Sequence, residues 1–101
     1  MDIINNLGRP AWAEISLTAL SSNVRAFRNF LPGNVRLMAV IKADGYGHGA
    51  YETANIALKE GASMLGVASL EEGVSLRQKG INAPVLILGY TEPHQYSTLL
   101  K

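Results

Sequence analysis

The chain has no cysteine. Disulfide staples, thiolate nucleophiles and cysteine-ligated zinc are thereby excluded from its 101 residues. Neither sign of charge dominates, with nine Lys and Arg against eight Asp and Glu, whereas nucleic-acid binding by counterion release needs a clustered basic surface. No apolar run approaches the ~18 residues of a membrane span. The longest, residues 37–41 and 85–88, are strand-sized. The opening Met1-Asp2-Ile3-Ile4-Asn5-Asn6 lacks the basic start and apolar core of a secretory signal. His94 has only Glu92 near it at metal-ligand spacing, so no metal site is expected. Charged residues are 17% and hydrophobic ones 48%, too apolar a balance for a disordered chain. These absences predict a soluble, cytoplasmic domain, or a piece of one, with neither nucleic acid nor membrane as partner.

What is present is a regular alternation. Residues 1–9 read as a loose lead-in and residues 10–15 (PAWAEI) as a short strand. Ser16 or Thr18 can cap the helix that follows. Leu20, Val24, Phe27 and Leu31 lay one apolar stripe along it, leaving Arg25 and Arg28 on a wet face, and Pro32-Gly33 stops it. Residues 35–41 (VRLMAVI) are the most strand-like run, apolar enough for a parallel strand covered on both faces. A glycine-studded loop, residues 42–49, leads into a helix over 50–60 with Gly61 placed as its terminator. Residues 64–68 are a strand. Ser69 and Glu72 have capping-box spacing at the start of a helix that ends before Gly80. Residues 85–88 form another strand, and a last helix begins near His94. Short connections between alternating strands and helices predict an α/β protein with a parallel sheet.

In such folds function gathers at the carboxyl ends of the strands, and Lys42 stands there directly after an apolar strand. A lysine in that position can hold its amine against a carbonyl and form a Schiff base, or simply extend its head to solvent. Gly45, Gly47 and Gly49 alternate with Tyr46 and His48. That spacing admits φ > 0 and close approach of backbone to a ligand, and Tyr46 offers a phenolic donor to a phosphate oxygen. It is neither the dinucleotide fingerprint nor a Walker loop. Phosphate binding and a plain βα turn both remain open on the residues alone. His48 reads as a loop residue that hydrogen-bonds locally, Glu71-Glu72 as a capping, solvated pair, Tyr90 as a pocket-wall candidate, and Trp12, Met38 and Met64 as packing.

Met38-Ala39-Val40-Ile41-Lys42-Ala43-Asp44-Gly45-Tyr46-Gly47-His48-Gly49 resembles the pyridoxal-phosphate attachment signature of bacterial alanine racemase. The resemblance runs from about Arg9 to the last residue, through Pro10-Ala11-Trp12-Ala13-Glu14-Ile15 and Gly80-Ile81-Asn82-Ala83-Pro84 to Leu86-Ile87-Leu88-Gly89. The family often has Asn-Ala where this chain has Asp44-Gly45. The resemblance implies the N-terminal portion of a pyridoxal 5'-phosphate-binding (βα)8 TIM-like barrel, preceded by one extra strand. The barrel is expected to be incomplete, because a whole one takes about 250 residues. Residues 10–101 would then be part of the barrel domain, with the family's C-terminal β domain absent.

The implied activity is interconversion of L-alanine and D-alanine for peptidoglycan, in a homodimeric parent, with the 101-residue chain alone inactive. Lys42 would be the Schiff-base lysine and the base on one face of the substrate. Tyr46 would bind the cofactor phosphate, and Val40 and Leu88 would line the cofactor. The second base, a tyrosine of the partner subunit in this family, matches no residue here. A serine or broad-specificity racemase shares the lysine motif, and a non-catalytic cofactor-binding fragment or a cofactor-homeostasis protein is the other alternative.

Overall fold

The computed structural model describes residues 2–5 and 13–100. Its first feature departs from expectation: the lead-in carries a strand, β1 (Asp2–Asn5), paired antiparallel with β2 (Ala13–Ser16). Two strands therefore precede the first helix. The first seven residues hold only two adjacent apolar positions before Leu7, too few to announce a strand by alternation. Pro10 and Trp12, expected in the second strand, lie outside the described residues.

Helix α1 (Leu17–Phe30) is capped by Ser16, whose Oγ accepts from the Ala19 N–H at 3.2 Å. Its inward stripe is Leu17, Leu20, Ser21, Val24, Arg28 and Leu31, each half-buried. Phe27, expected inward, is 64% exposed. The stripe is rotated because α1 docks through its arginines onto α2 (Ala50–Lys59) and the residues just after it. Arg28 lays its methylene stem where a side chain on Gly61 would stand and donates to the Pro32 carbonyl at 2.8 Å. Arg25 Nη2 donates to Glu60 Oε2 at 2.7 Å, and the Ser21 hydroxyl donates to the same oxygen. The arginines thus join two helices: Arg28 is drawn inward, while Arg25 makes its contact from the exposed face expected of it.

Beyond α1 the chain forms a three-stranded parallel sheet in the order β3 (Leu37–Val40), β4 (Ala62–Val67), β5 (Val85–Ile87). Helix α2 connects the first pair and α3 (Leu70–Gln78) the second. A single 3-10 turn, Pro93–Gln95, leads into the short α4 (Tyr96–Leu99). β1 and β2 form a sheet of their own.

One face of the parallel sheet is closed. Ile41, Leu65 and Val67 pack with Ala54 of α2 and Leu76 of α3, at most 2% exposed. Alternation sends the intervening residues to the other face, where Val40 is 37%, Leu86 43% and Leu88 49% exposed. The apolar strands were expected to be covered twice, but among the described residues the helices cover them once. No described helix is long and apolar enough to cross a membrane.

The α1–α2 joint generates a pH dependence. Glu60's carboxyl is held below its ordinary value by Arg25's hydrogen bond first and the Ser21 hydroxyl second. A depressed carboxyl stabilises the fold above its unfolded value, and that stability disappears as pH falls through the folded one. Arg25 is 59% exposed, so the effect is screened by salt. In unfolding titrations, Glu60→Gln is expected to be less stable than the parent at neutral pH, with the gap closing as pH falls below the ordinary carboxylate range. A gap that stays constant over that range contradicts the assignment.

Candidate functional site

The carboxyl ends of β3, β4 and β5 are brought level by the ladder. Val40 stands opposite Gly66, and Gly66 opposite Leu86. The Ile41 N–H donates to Gly66 O at 2.8 Å and the Leu88 N–H to Val67 O at 2.8 Å. Gly66 lies between flanking side chains on the open face. A Cβ there would meet Val40 at 3.4 Å, Met38 Sδ at 3.5 Å and Leu88 at 3.7 Å. Having no side chain, Gly66 leaves a notch between Val40 and Leu88 just before the chain reaches Lys42, which is half-buried.

The segment from Lys42 to Tyr46 is a left-handed turn. Ala43 (φ 54, ψ 50), Asp44 (φ 55, ψ 45) and Gly45 (φ 67, ψ 35) are followed by Tyr46 at φ 56. Backbone bonds close it: Gly45 N–H to Ile41 O at 2.8 Å, Gly47 N–H to Ala43 O at 3.0 Å and Gly49 N–H to Asp44 O at 2.8 Å. A left-handed residue other than glycine costs roughly 1–2 kcal/mol, and three of them here are not glycine. Gly45 avoids that cost, and the Thr53 hydroxyl lies 3.1 Å from where its Cβ would be. The departure Asp44-Gly45 is thereby explained: aspartate tolerates this region, and glycine fits beside Thr53.

Three side chains hold the turn. Asp44 Oδ1 accepts from the Ala50 N–H at 2.8 Å and so binds the turn to the first residue of α2. His48 Nδ1 lies 3.0 Å from the Gly45 carbonyl oxygen. That oxygen can only accept, so Nδ1 is the donor. The third is Glu72. Its Oε2 accepts from the Ala43 N–H at 2.8 Å and its Oε1 from the Ala68 N–H at 2.7 Å. The sequence reading placed Glu72 in a solvated capping pair. In the structure its N–H does approach Ser69 Oγ at 3.3 Å, but its half-buried carboxylate crosses to the neighbouring strand end. Capping-box spacing was the signal. A partner 29 residues away was beyond any local pattern.

Lys42, Val40, Tyr46 and Leu88 therefore all belong to the carboxyl end of the parallel sheet or the turn that leaves it. Tyr46 is 57% exposed and Tyr90 78%, so both phenols are accessible. A separate apolar groove runs between α3, β5 and α4, lined by Leu70, Val74, Val85, Ile87 and Leu99. No residue of the Lys42 turn lines it.

Three parallel βα units with a lysine at one strand tip and one sheet face covered by helices have the arrangement of part of an α/β barrel. The chain matches the protein-family model for the alanine racemase N-terminal domain over residues 15–101, and it belongs to that family. It is 53% identical over 92 residues to the alanine racemase of Symbiobacterium thermophilum, covering 91% of this chain and 24% of that protein. The solved alanine racemase of Clostridium difficile 630 superposes with a TM-score of 0.84 at 43% identity, over 92% of this chain and 25% of that one. The Bacillus anthracis alanine racemase solved with bound L-Ala-P gives a TM-score of 0.78 at 42% identity, over 80% of this chain and 21% of that one. The chain thus spans about a quarter of the length of the relatives it matches, and its three parallel βα units are a portion of their TIM barrel.

The Asp44 contact is testable by itself. Asp44→Ala removes the acceptor for the Ala50 N–H and places alanine at φ 55, for an expected loss of about 1–2 kcal/mol. Asp44→Asn keeps an acceptor oxygen and tolerance of the left-handed region, and is expected to lose less than about 0.5 kcal/mol. Denaturant midpoints measure both. Equal losses in the two variants contradict the capping role.

Proposed function

We propose that this chain is the cofactor-anchoring part of a pyridoxal 5'-phosphate-dependent alanine racemase, with Lys42 as the attachment point. The observation that carries the reading is Lys42 at the tip of β3, followed at once by a clamped left-handed turn bearing Tyr46. The residues fit the cofactor. Lys42 offers an amine to an aldehyde, Tyr46 an accessible hydroxyl to a phosphate oxygen, and the Gly66 notch between Val40 and Leu88 gives a flat ring an apolar seat that a Cβ would fill.

When bound, the cofactor supplies the aldehyde and a ring that draws electron density from the substrate α-carbon. The protein's part is placement. Val40 and Leu88 exclude water from the ring, and Tyr46 Oη orients the phosphate by donating to it. Lys42 Nζ would remove or return the α-proton on its own face of the substrate. Racemisation also needs a proton donor on the opposite face, which this part of the family's barrel does not supply. A homodimer, with the second base brought by the partner subunit, completes the reading. Alanine is the preferred substrate because the B. anthracis relative binds L-Ala-P, and D-alanine is a building block of peptidoglycan. The place of action is then the cytoplasm.

The test is made on the intact protein. Borohydride reduction with pyridoxal 5'-phosphate is expected to label Lys42. Lys42→Ala is expected to lose the label, the near-visible absorbance of the bound cofactor, and on the order of a thousandfold or more of the racemisation rate. Persistence of the absorbance in Lys42→Ala overturns the assignment. Label on Lys42 without exchange of the alanine α-proton leaves a cofactor carrier in place of an enzyme.

A further inference from the structure

We propose that Glu72 is the positioning residue of Lys42: its carboxylate, seated between the ends of β3 and β4, fixes the peptide that joins Lys42 to Ala43. This rests on Lys42 being the cofactor-binding lysine. The Ala43 N–H that Glu72 Oε2 accepts at 2.8 Å belongs to the same planar peptide as the Lys42 carbonyl. Holding that N–H sets the rotation about the Lys42 Cα–C bond. It thereby sets the direction in which the chain leaves the lysine.

The requirement for such a hold is local. Ala43 sits at φ 54, ψ 50, a region an alanine keeps only where its surroundings over-determine it. The backbone bonds that close the turn are accepted by Ile41 O, Ala43 O and Asp44 O, and none of them engages the Ala43 N–H. Glu72 supplies that contact. Its other oxygen is fixed by the Ala68 N–H at 2.7 Å, so the carboxylate spans the tips of adjacent strands. Both bonds are short and charge-assisted, the stronger class of hydrogen bond. The side chain rises from the first turn of α3, where the helix dipole favours a negative charge and a rigid element carries it. The chemistry selects a carboxylate. Two backbone donors need two acceptor oxygens, and a carboxamide offers one oxygen and turns an N–H toward the other donor.

The experiment uses the intact protein as parent, Glu72→Gln, Glu72→Ala and the core control Ile81→Val. The first readout needs no cofactor: amide hydrogen exchange at Ala43 and Ala68, referenced to the Leu65 N–H, which bonds to Pro84 O inside the sheet. Glu72→Ala is expected to exchange about tenfold faster than the parent at both Ala43 and Ala68, and Glu72→Gln at whichever of the two its single oxygen leaves unbonded, with Leu65 unchanged in both. Ile81→Val is expected to leave all three alone. The second readout is reductive labelling with pyridoxal 5'-phosphate. The Glu72 variants are expected to need about tenfold more cofactor for half-labelling of Lys42, with label spilling onto other lysines.

Parent-like exchange at both Ala43 and Ala68 overturns the proposal, and so does faster exchange at Ala43 with parent-like labelling. Should Glu72→Ala fail to fold, Glu72→Gln carries both readouts. A parent that takes no label at Lys42 defeats the cofactor reading instead, and the exchange data then decide by themselves whether Glu72 holds the turn.

Discussion

A lysine at a strand tip is useful only if its backbone is prevented from relaxing, and here it is followed by residues in a conformation they resist. Ala43, Asp44 and Tyr46 all have positive φ, each disfavoured for a residue with a Cβ. The turn persists because its surroundings hold it from several sides. Ile41, buried at 2% exposure, anchors its start in the core and accepts from Gly45. Asp44 ties its middle to α2 and Glu72 ties its first peptide to β4. Stored backbone strain at an otherwise regular strand end is a common mark of a functional site.

The one-sided packing of the sheet follows from the same arrangement. Helices α2 and α3 close the face that holds Ile41, Leu65 and Val67. The opposite face keeps Val40, Leu86 and Leu88 partly open around the Gly66 notch. In a parallel barrel that second face is the interior. The family match and the superposition on alanine racemases agree with this geometry, since the chain carries the helix-covered outside of three βα units and, at the tip of the first, a lysine. The tight pairing of Glu60 with Arg25 and Ser21 holds α1 against the end of α2, which begins where the lysine turn ends.

Much of this was legible in the residues. The apolar runs at 37–41 and 85–88 and the Gly61 and Gly80 stops located the parallel strands and their helices to within a few residues, because burial of one face imposes a simple pattern. The lysine-to-glycine motif marked the segment that the structure folds into the clamped turn. What escaped was whatever depends on contacts distant in sequence. β1 has too few alternating positions to be read before its partner is known. Arg28 took an inward place expected of Phe27 because Gly61 makes room for its stem. Glu72 looked like a helix cap because its local spacing fits one, while its carboxylate serves a turn that the sequence reaches much earlier. The left-handed path itself was only permitted by Gly45 and Asp44, and the sheet and the clamping side chains made it the outcome.

In the function proposed above, a pre-set left-handed turn presents Lys42 to pyridoxal 5'-phosphate. A crystal structure of the intact protein with that cofactor tests it most directly. The account predicts continuous density from Lys42 Nζ to the cofactor, the phosphate beside Tyr46, the ring against Val40 and Leu88, and positive φ retained at residues 43–46. A cofactor bound elsewhere, or a turn that rewinds to the right-handed form when the cofactor binds, contradicts it.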